Sequence, residues 1–370
     1  MSAEGRIAVA MSGGLDSSVT AWLLARQGLP VVGLSMLLWD RSDDNAHGRC
    51  CGALDLGDAR RVAQQAGIPH YTLRMDEEFR EKVVDPFVSD YLAGRTPSPC
   101  VRCNTWVKFD LLLARARSFG AEKVATGHYA RIVEGPEGLE LHTAVDTEKD
   151  QSYYLFELTE EQLAASLFPL GGMTKPEVRG LAREAGLVVA EKGESMEVCF
   201  VSGGIREFVE GQVAEFPGRY AGAAAATAAA PARLVDTSGE ELGEGQPYYR
   251  YTVGQRRGLQ VSAGERLYVL KIEPEANRVV VGKEEELASP GLLGERLHWI
   301  GPAPAGEVEA TVKIRSRHPG VKALIRPLGA EGEVEVRFAT PQRGVAPGQA
   351  AVFYQGTRVL GGCWIRGGLG

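Results

Sequence analysis

Over its first ~200 residues the chain alternates short apolar runs with amphipathic helical stretches, a pattern that restricts it to one kind of architecture. Ile7 to Ala10 reads as a buried strand, and SSVTAWLLARQG as a helix stopped at Gly28. Val31 to Leu38 is a second strand-like run, Leu56 to Ala66 a helix closed by Gly67, and His70 to Leu73 a short strand. Phe109 to Ser118 is helical and ends at Gly120, after which KVATG gives a strand running to Gly127 and His128. TKPEVRGLAREAG carries a further helix, with Thr174 and Glu177 as a capping box and Gly186 as its stop. Strands that alternate with helices are joined by right-handed crossovers into a parallel sheet. The predicted class is a doubly wound α/β fold, with ligands gathered beyond the carboxyl ends of the strands.

At 370 residues the chain exceeds one typical core and predicts two or three domains. After Phe200 the texture changes. AGAAAATAAAPA, residues 221 to 232, is low in complexity and reads as a loop or short helix. From Leu267 onward YVLKIEP, RVVVGK, EATVKIRSR, KALIRPL, EVEVRFA and AAVFYQ are separated by Gly, Pro and Asn turns, which predicts a small all-β domain, a barrel. Nothing resembles an apolar run of ~18 residues, and MSAEGRIAVAMSGG has no basic region leading to an apolar segment and cleavage site. The expectation is a cytoplasmic protein with no membrane partner. Six cysteines in so long a chain do not suggest a secreted disulfide framework, so catalytic or metal-binding thiols are expected. The net charge of −7 argues against indiscriminate nucleic-acid binding while leaving room for a local basic face.

SGGLDS, residues 12 to 17, follows the first strand and opens the first helix. Glycines there let backbone N–H groups approach a phosphate, and the helix N-terminus adds partial positive charge. Ser12 and Ser17 can donate hydroxyls. The stretch has neither the GxxxxGK[ST] nor the GxGxxG pattern. Asp16 beside a polyphosphate requires either Mg²⁺ between them or a role in shaping the turn. A plain strand-to-helix turn is the competing explanation. AMSGGLDSSVTAWLL resembles the pyrophosphate-binding loop of the ATP pyrophosphatases, which adenylate an oxygen and release pyrophosphate; the loop implies ATP and leaves the second substrate open.

The cysteines narrow the choice. Cys100 and Cys103 lie in TPSPCVRCNTWVKFD and Cys199 in ESMEVCFV. A nucleophilic cysteine works as thiolate, and Cys103 just ahead of a helix expected from Trp106 to Ser118 meets that need. Any one cysteine is as readily a small buried hydrophobe. Taken with ATGHYAR, KDQSYYLFEL, VCFV and YTVGQRRGL, however, the chain from residue 6 to about 365 resembles the tRNA-specific 2-thiouridylase family in motif order and spacing.

That resemblance implies ATP- and Mg²⁺-dependent adenylation of O2 of the wobble uridine, U34 of certain tRNAs, followed by displacement of AMP by sulfur from a cysteine persulfide. Cys199 would carry the persulfide and Cys103 would attack it, with a cysteine desulfurase or sulfur relay protein as sulfur donor. Ala10, Met11, Ser12, Gly13, Gly14, Leu15, Asp16 and Ser17 would hold the ATP phosphates, with Asp16 counted in the catalytic set. Met36 would pack near adenine and Gly127 would approach the nucleotide. Ser98, Pro99 and Cys100 would meet the target base, and His128, Lys149, Asp150, Gln151, Arg315, Ser316 and Gln349 would contact tRNA. The plain alternatives are a core histidine at 128 and a polar loop at 149 to 151. The implied domains are residues 1–203 for ATP, 204–280 as a small tRNA-binding unit and 281–370 as the barrel.

The family's commonest pattern has Asp where this chain has Cys100. CxxC plus Cys199 therefore admits a second reading, three thiolates on a [4Fe–4S] cluster with one open iron. Arg250, Arg256 and Arg257, with Lys313, Arg315, Arg317 and His318, supply the local basic content. Cys50 and Cys51 are expected in a loop, since adjacent cysteines cannot easily pair, and Cys363 in the core. Two rival classes remain: an ATP-dependent ligase of a small metabolite, and a tRNA-binding protein without catalysis.

Overall fold

The computed structural model describes residues 5–39, 52–193, 198–201, 203–220, 230–259, 266–329 and 332–370. Cys50, Cys51 and residues 221–229 of the alanine-rich stretch lie outside this set.

Five parallel strands form the first sheet: β1 (Arg6–Ala10), β2 (Val31–Leu37), β3 (His70–Arg74), β4 (Ala121–Ala125) and β7 (Ser166–Leu167), in the order β3-β2-β1-β4-β7. Alternation along β1 sends Ile7 and Val9 to one face and Ala8 to the other. On the first face Ile7, Val9 and Met11 pack with α1 (Leu15–Arg26), α2 (Ala53–Gln65) and α5 (Lys175–Glu184). On the second, Ala8, Val32 and Leu34 pack against Leu112, Leu113 and Ala116. The sheet is thus wound on both faces, as expected. Gly28 and Gly186 adopt φ of +76° and +62° directly after α1 and α5, the left-handed stop that glycine provides most cheaply. Thr174 and Glu177 form the anticipated capping box.

One helix and the start of another carry no clear sequence signal. α3 spans residues 76–92, with a π-wound stretch Arg80–Val84. α4 spans 99–117: Pro99–Arg102, the π-wound Cys103–Leu111, then Leu112–Arg117. Pro99 takes the first helical turn, where its missing N–H costs nothing. Cys103 therefore lies inside a helix rather than ahead of one, and it is Cys100 that occupies the first turn. Single π turns are frequent at functional positions.

A hairpin, β5 (Ala130–Gly135) and β6 (Gly138–Thr143), leaves the first domain and joins the last. The central unit consists of α6 (Ile205–Glu215) and a sheet of β8 (Arg233–Val235), β9 (Glu241–Glu244), β10 (Tyr268–Glu273) and β11 (Arg278–Gly282), ordered β10-β11-β8-β9. YVLKIEP and RVVVGK consequently belong to this sheet and not to the barrel: β11 pairs with β8, which follows the alanine-rich stretch and carried no strong sequence signal.

The barrel closes with β12 (Ala288–Trp299), β15 (Val334–Arg343), β14 (Val321–Pro327), β13 (Val308–Lys313), β16 (Ala350–Gln355) and β17 (Arg358–Gly368), β17 returning to β12. β6 pairs with β17 at Leu141 and His142. Val101 and Phe109 of α4, Leu141, Tyr153, Phe156 and the barrel's Ala350, Val352 and Trp364 share one apolar cluster. Barrel and cysteine helix are therefore packed together. No helix among the described residues is long and apolar enough to cross a membrane.

Candidate functional site

The strand order reverses at β1, with β2 on one side and β4 on the other, and in open α/β sheets that switch point is where a ligand crevice opens. SGGLDS leaves β1 at this point. Gly13 has φ +75° and lies so close to α2 that a Cβ would overlap the Asp55 carbonyl. Gly14 caps α1 without a side chain, which leaves the first-turn N–H groups to the crevice. Ser12 and Ser17 bond each other: Ser12 N donates to Ser17 Oγ at 3.2 Å, and Ser17 Oγ donates to the Gly14 carbonyl at 3.2 Å. These hydroxyls shape the loop from within. Met11 and Leu15 are buried beneath it, and Ala10 ends the strand. Ser35 of β2 donates to the Met11 carbonyl at 2.6 Å. Met36, half-buried, packs against the clusters on the α4 side.

Asp16 is held by two residues that sequence reasoning missed. Lys175 Nζ lies 2.7 and 2.8 Å from its two carboxylate oxygens, and the Tyr129 hydroxyl donates to Oδ1 at 3.0 Å. Lys192 contacts the Gly13 carbonyl at 2.9 Å, Asp55 at 2.5 Å and Asp58 at 2.5 Å. Burial opposes the charges of Lys192 and Asp58, but their hydrogen bonds outweigh it: the lysine is raised above its ordinary pKa and the aspartate lowered below. Two ammonium groups thus flank the loop. Lysines at N1 of a helix and in a turn carry no motif, so only the fold reveals them. Gly127 completes the crevice. A Cβ there would stand 2.8 Å from Asp16 C, Asp16 Cβ and Ser17 N, so the β4–β5 connection runs directly against the start of α1.

Asp150 and Gln151 of the KDQ triplet bond to neighbouring segments of the protein. Asp150 accepts from Ala144 N at 3.0 Å and from Ser152 Oγ at 2.9 Å. Gln151 Oε1 accepts from Tyr129 N at 3.0 Å, so it positions the tyrosine that holds Asp16. Lys149 is half-buried beside them. The His128 ring sits with Phe109 and Phe168 at 5.8 Å each and meets Thr126 Oγ1 at 2.7 Å; burial, with Lys108 nearby, holds its pKa well below the ordinary value.

Ser98 and Pro99 are buried and Cys100 is exposed at the opening of α4. Gln349 Nε2 donates to the Thr96 and Pro97 carbonyls at 3.0 and 3.2 Å, and Thr96 N donates to the Pro347 carbonyl at 2.8 Å. The barrel thereby grips the strap leading to the cysteines. Arg102 stacks between Trp106 and Trp364, 5.3 Å from each centroid, and reaches Asp90. Cys199 lies in a turn, Val201 N donating to the Val198 carbonyl at 3.0 Å, and residues 194–197 before it lie outside the described set. Its neighbour Phe200 is wedged against Phe79, Phe87 and Phe208, with centroids 5.1–5.5 Å apart. Cys103 and Cys199, both half-buried, pack against the extended apolar cluster to which these rings belong. Among the described residues no group of three His, Cys, Asp or Glu side chains is placed to hold a metal ion, Cys100, Cys103 and Cys199 included. Cys363 is fully buried, and burial raises its pKa.

Of the basic residues, Arg315 and Arg317 are exposed and Ser316 half-buried between them. Arg256 and Arg257 are exposed, whereas Arg250 pairs with Glu210 and His318 is buried against Gln342.

Comparison with known proteins adds three matches along the chain: a tRNA methyl transferase HUP domain at residues 5–203, a tRNA methyl transferase PRC-barrel domain at 224–283 and an aminomethyltransferase β-barrel domain at 289–365. The tRNA-specific 2-thiouridylase MnmA of Geobacter metallireducens is 50% identical, covering 98% of this chain and 97% of that one. Its counterpart in Geotalea uraniireducens is 49% identical over 97% and 94% of the two chains. Among solved structures, a 4-thiouridine synthetase–RNA complex with bound ATP is 15% identical, covering 58% of this chain and 52% of that one, with a TM-score of 0.32.

Proposed function

Because the chain belongs to the tRNA-specific 2-thiouridylase family, we propose that it activates the wobble uridine of a tRNA with ATP and replaces O2 by sulfur. An oxygen doubly bonded to carbon is a poor leaving group. Attack of O2 on the α-phosphorus forms an O–P bond, breaks the bond to pyrophosphate, and turns the oxygen into part of an AMP leaving group. The uncapped start of α1 and the SGGLDS backbone receive the phosphates, while Lys175 and Lys192 offset the nearby carboxylates Asp16, Asp55 and Asp58 that would otherwise repel them. Mg²⁺ would neutralise the triphosphate further. Asp16 is the carboxylate within the loop itself, but Lys175 already engages it, so the ion is assigned to the nucleotide rather than to a protein cage.

Sulfur transfer is assigned to Cys199 and Cys103. The terminal sulfur of a Cys199 persulfide attacks C2 and AMP leaves. Cys103 thiolate then attacks Cys199 Sγ, which breaks the S–S bond, leaves sulfur on the base and forms a Cys103–Cys199 disulfide that a thiol reductant reopens. The observation that supports this reading is that Cys103 and Cys199, distant in sequence, pack against the same extended apolar cluster. Arg315 and Ser316 are assigned to tRNA, as is Lys149, and Ser98, Pro99 and Cys100 to the target base. His128, Asp150, Gln151 and Gln349 support these contacts by holding the segments that make them. The first domain boundary is assigned at 203 as expected, whereas the second falls after β11 (Arg278–Gly282) rather than at 280. The test is nucleoside analysis of tRNA incubated with protein, ATP and a persulfide donor: Cys199→Ser should abolish 2-thiouridine while uridine adenylation stays measurable. Full thiolation by that variant with sulfide excluded would refute the persulfide route.

A further inference from the structure

The peptide joining Met11 to Ser12 leads from β1 into the SGGLDS loop, and both of its polar ends are held. Its N–H, on Ser12, donates to Ser17 Oγ at 3.2 Å from inside the loop. Its carbonyl, on Met11, accepts from Ser35 Oγ of β2 at 2.6 Å. Ser35 is 1% exposed, and its Oγ also lies 2.8 Å from His70 Nε2 at the start of β3. A serine hydroxyl carries one hydrogen. That hydrogen goes to the Met11 carbonyl, so the imidazole is the donor of the second bond. Register explains how a ring on β3 reaches the exit of β1. His70 pairs with Gly33 of β2, and Ser35 is two residues further along the same face. A Cβ on Gly33 would stand 2.6 Å from Met11 Sδ and 3.1 Å from His70 Cδ2. The missing side chain therefore leaves the space in which Met11 and His70 sit side by side.

We propose that Ser35 and His70 are positioning residues for the nucleotide. The imidazole orients the hydroxyl, the hydroxyl fixes the plane of the Met11–Ser12 peptide, and that peptide sets the course of the backbone that receives the phosphates. The inference rests on the ATP assignment made above. A loop ordered before ATP arrives is spared part of the ordering cost of binding. Loss of either bond should therefore appear in affinity for the nucleotide and not in turnover at saturation.

The direct readout is calorimetric binding of α,β-methylene-ATP with Mg²⁺ in the absence of tRNA, set beside the KM for ATP in tRNA-dependent pyrophosphate release. A hydrogen bond of ordinary strength predicts that Ser35→Ala weakens analogue binding and raises the ATP KM by about three- to tenfold, with kcat and the tRNA KM within about twofold of wild type. Ser35→Thr keeps the hydroxyl and should bind the analogue within about twofold of wild type. His70→Leu should weaken binding by about threefold, and adding it to Ser35→Ala should change nothing further, because the ring acts through the hydroxyl. Ser289→Ala is the control: it removes a buried barrel hydroxyl that donates to the Gly291 and Leu369 carbonyls at 2.6 and 2.7 Å, and should lower the melting temperature without altering analogue affinity. Wild-type affinity in Ser35→Ala, no recovery in Ser35→Thr, additive losses in the double variant, or an equal loss in Ser289→Ala would each overturn the positioning role. Failure of the wild-type protein to bind the analogue would instead refute the ATP assignment on which the proposal rests.

Discussion

Gly127→Ala adds one methyl group between the β4–β5 connection and the start of α1. The new carbon would stand 2.8 Å from Asp16 C, Asp16 Cβ and Ser17 N, all backbone or backbone-proximal atoms that cannot swing aside. Nonbonded carbons rest at about 3.5–4.0 Å, so the first turn of α1 must retreat by roughly 0.7–1.2 Å from its place. Overpacking of this kind costs about 1–3 kcal/mol of stability, and a displacement near 1 Å at a phosphate-orienting turn can cost about 100-fold in rate. The assay is tRNA-dependent pyrophosphate release at saturating ATP, well below the melting temperature. Gly28→Ala is the matched control: a Cβ there meets nothing within 4 Å, but φ is +76°, so the strain is about 1–2 kcal/mol with the crevice untouched. The expected result is a comparable stability loss in both variants and a loss of the ATP step in Gly127→Ala alone. Wild-type pyrophosphate release by Gly127→Ala, or equal losses in the two, would refute the reasoning.

Other variants probe other parts of the site. Lys175→Met leaves Asp16 facing the phosphates without its counter-charge, and should raise the KM for ATP about tenfold or more with little change in melting temperature, as read by initial rates and thermal unfolding. Phe200→Ala removes the ring wedged among Phe79, Phe87 and Phe208, so it should cost about 3–5 kcal/mol in denaturant unfolding. It should also slow sulfur transfer more than pyrophosphate release. His128 has a folded pKa below its unfolded value of about 6.5, so its contribution is present above pH 6.5 and is lost as pH falls toward the depressed folded pKa. Replacement by Gln should flatten the acid side of the stability profile by at most about 1.4 kcal/mol per pH unit, measured by unfolding at a series of pH values. Gln349→Leu withdraws the donor that grips the Thr96 and Pro97 carbonyls, and should lower thiolation turnover while ATP binding is unchanged.

The alternation of strands and helices was sufficient to place β1 to β4, α1, α2 and α5, because buried parallel strands and glycine-stopped helices write strong local signals. It did not reveal α3, or the early start of α4 at Pro99, where π winding and a Ser-Pro entry blur the helical period. Nor could it show that YVLKIEP and RVVVGK leave the barrel for a sheet with β8, since pairing partners are a tertiary property. The glycines of the crevice beyond β1 were legible because close backbone approach demands them. Lys175 and Lys192 were not, because an ammonium on a long stem reaches its site from anywhere on the neighbouring surface. The KDQ stretch reads in sequence as tRNA contacts or a polar loop, and its letters alone do not show the bonds that Asp150 and Gln151 make to Ala144, Ser152 and Tyr129, which depend on the fold.

The central claim is that ATP-dependent activation and a Cys199 persulfide together place sulfur on the wobble uridine. Its most direct test is a single-turnover reaction in which protein carrying isotopically labelled sulfur on Cys199 is mixed with tRNA and ATP, without free sulfide or donor, and the tRNA nucleosides are resolved by mass. The account predicts labelled 2-thiouridine at position 34 in amounts approaching the persulfide loaded, none without ATP, and a Cys103–Cys199 disulfide in the spent protein. Label retained on Cys199 while thiolation proceeds from another sulfur source would contradict it.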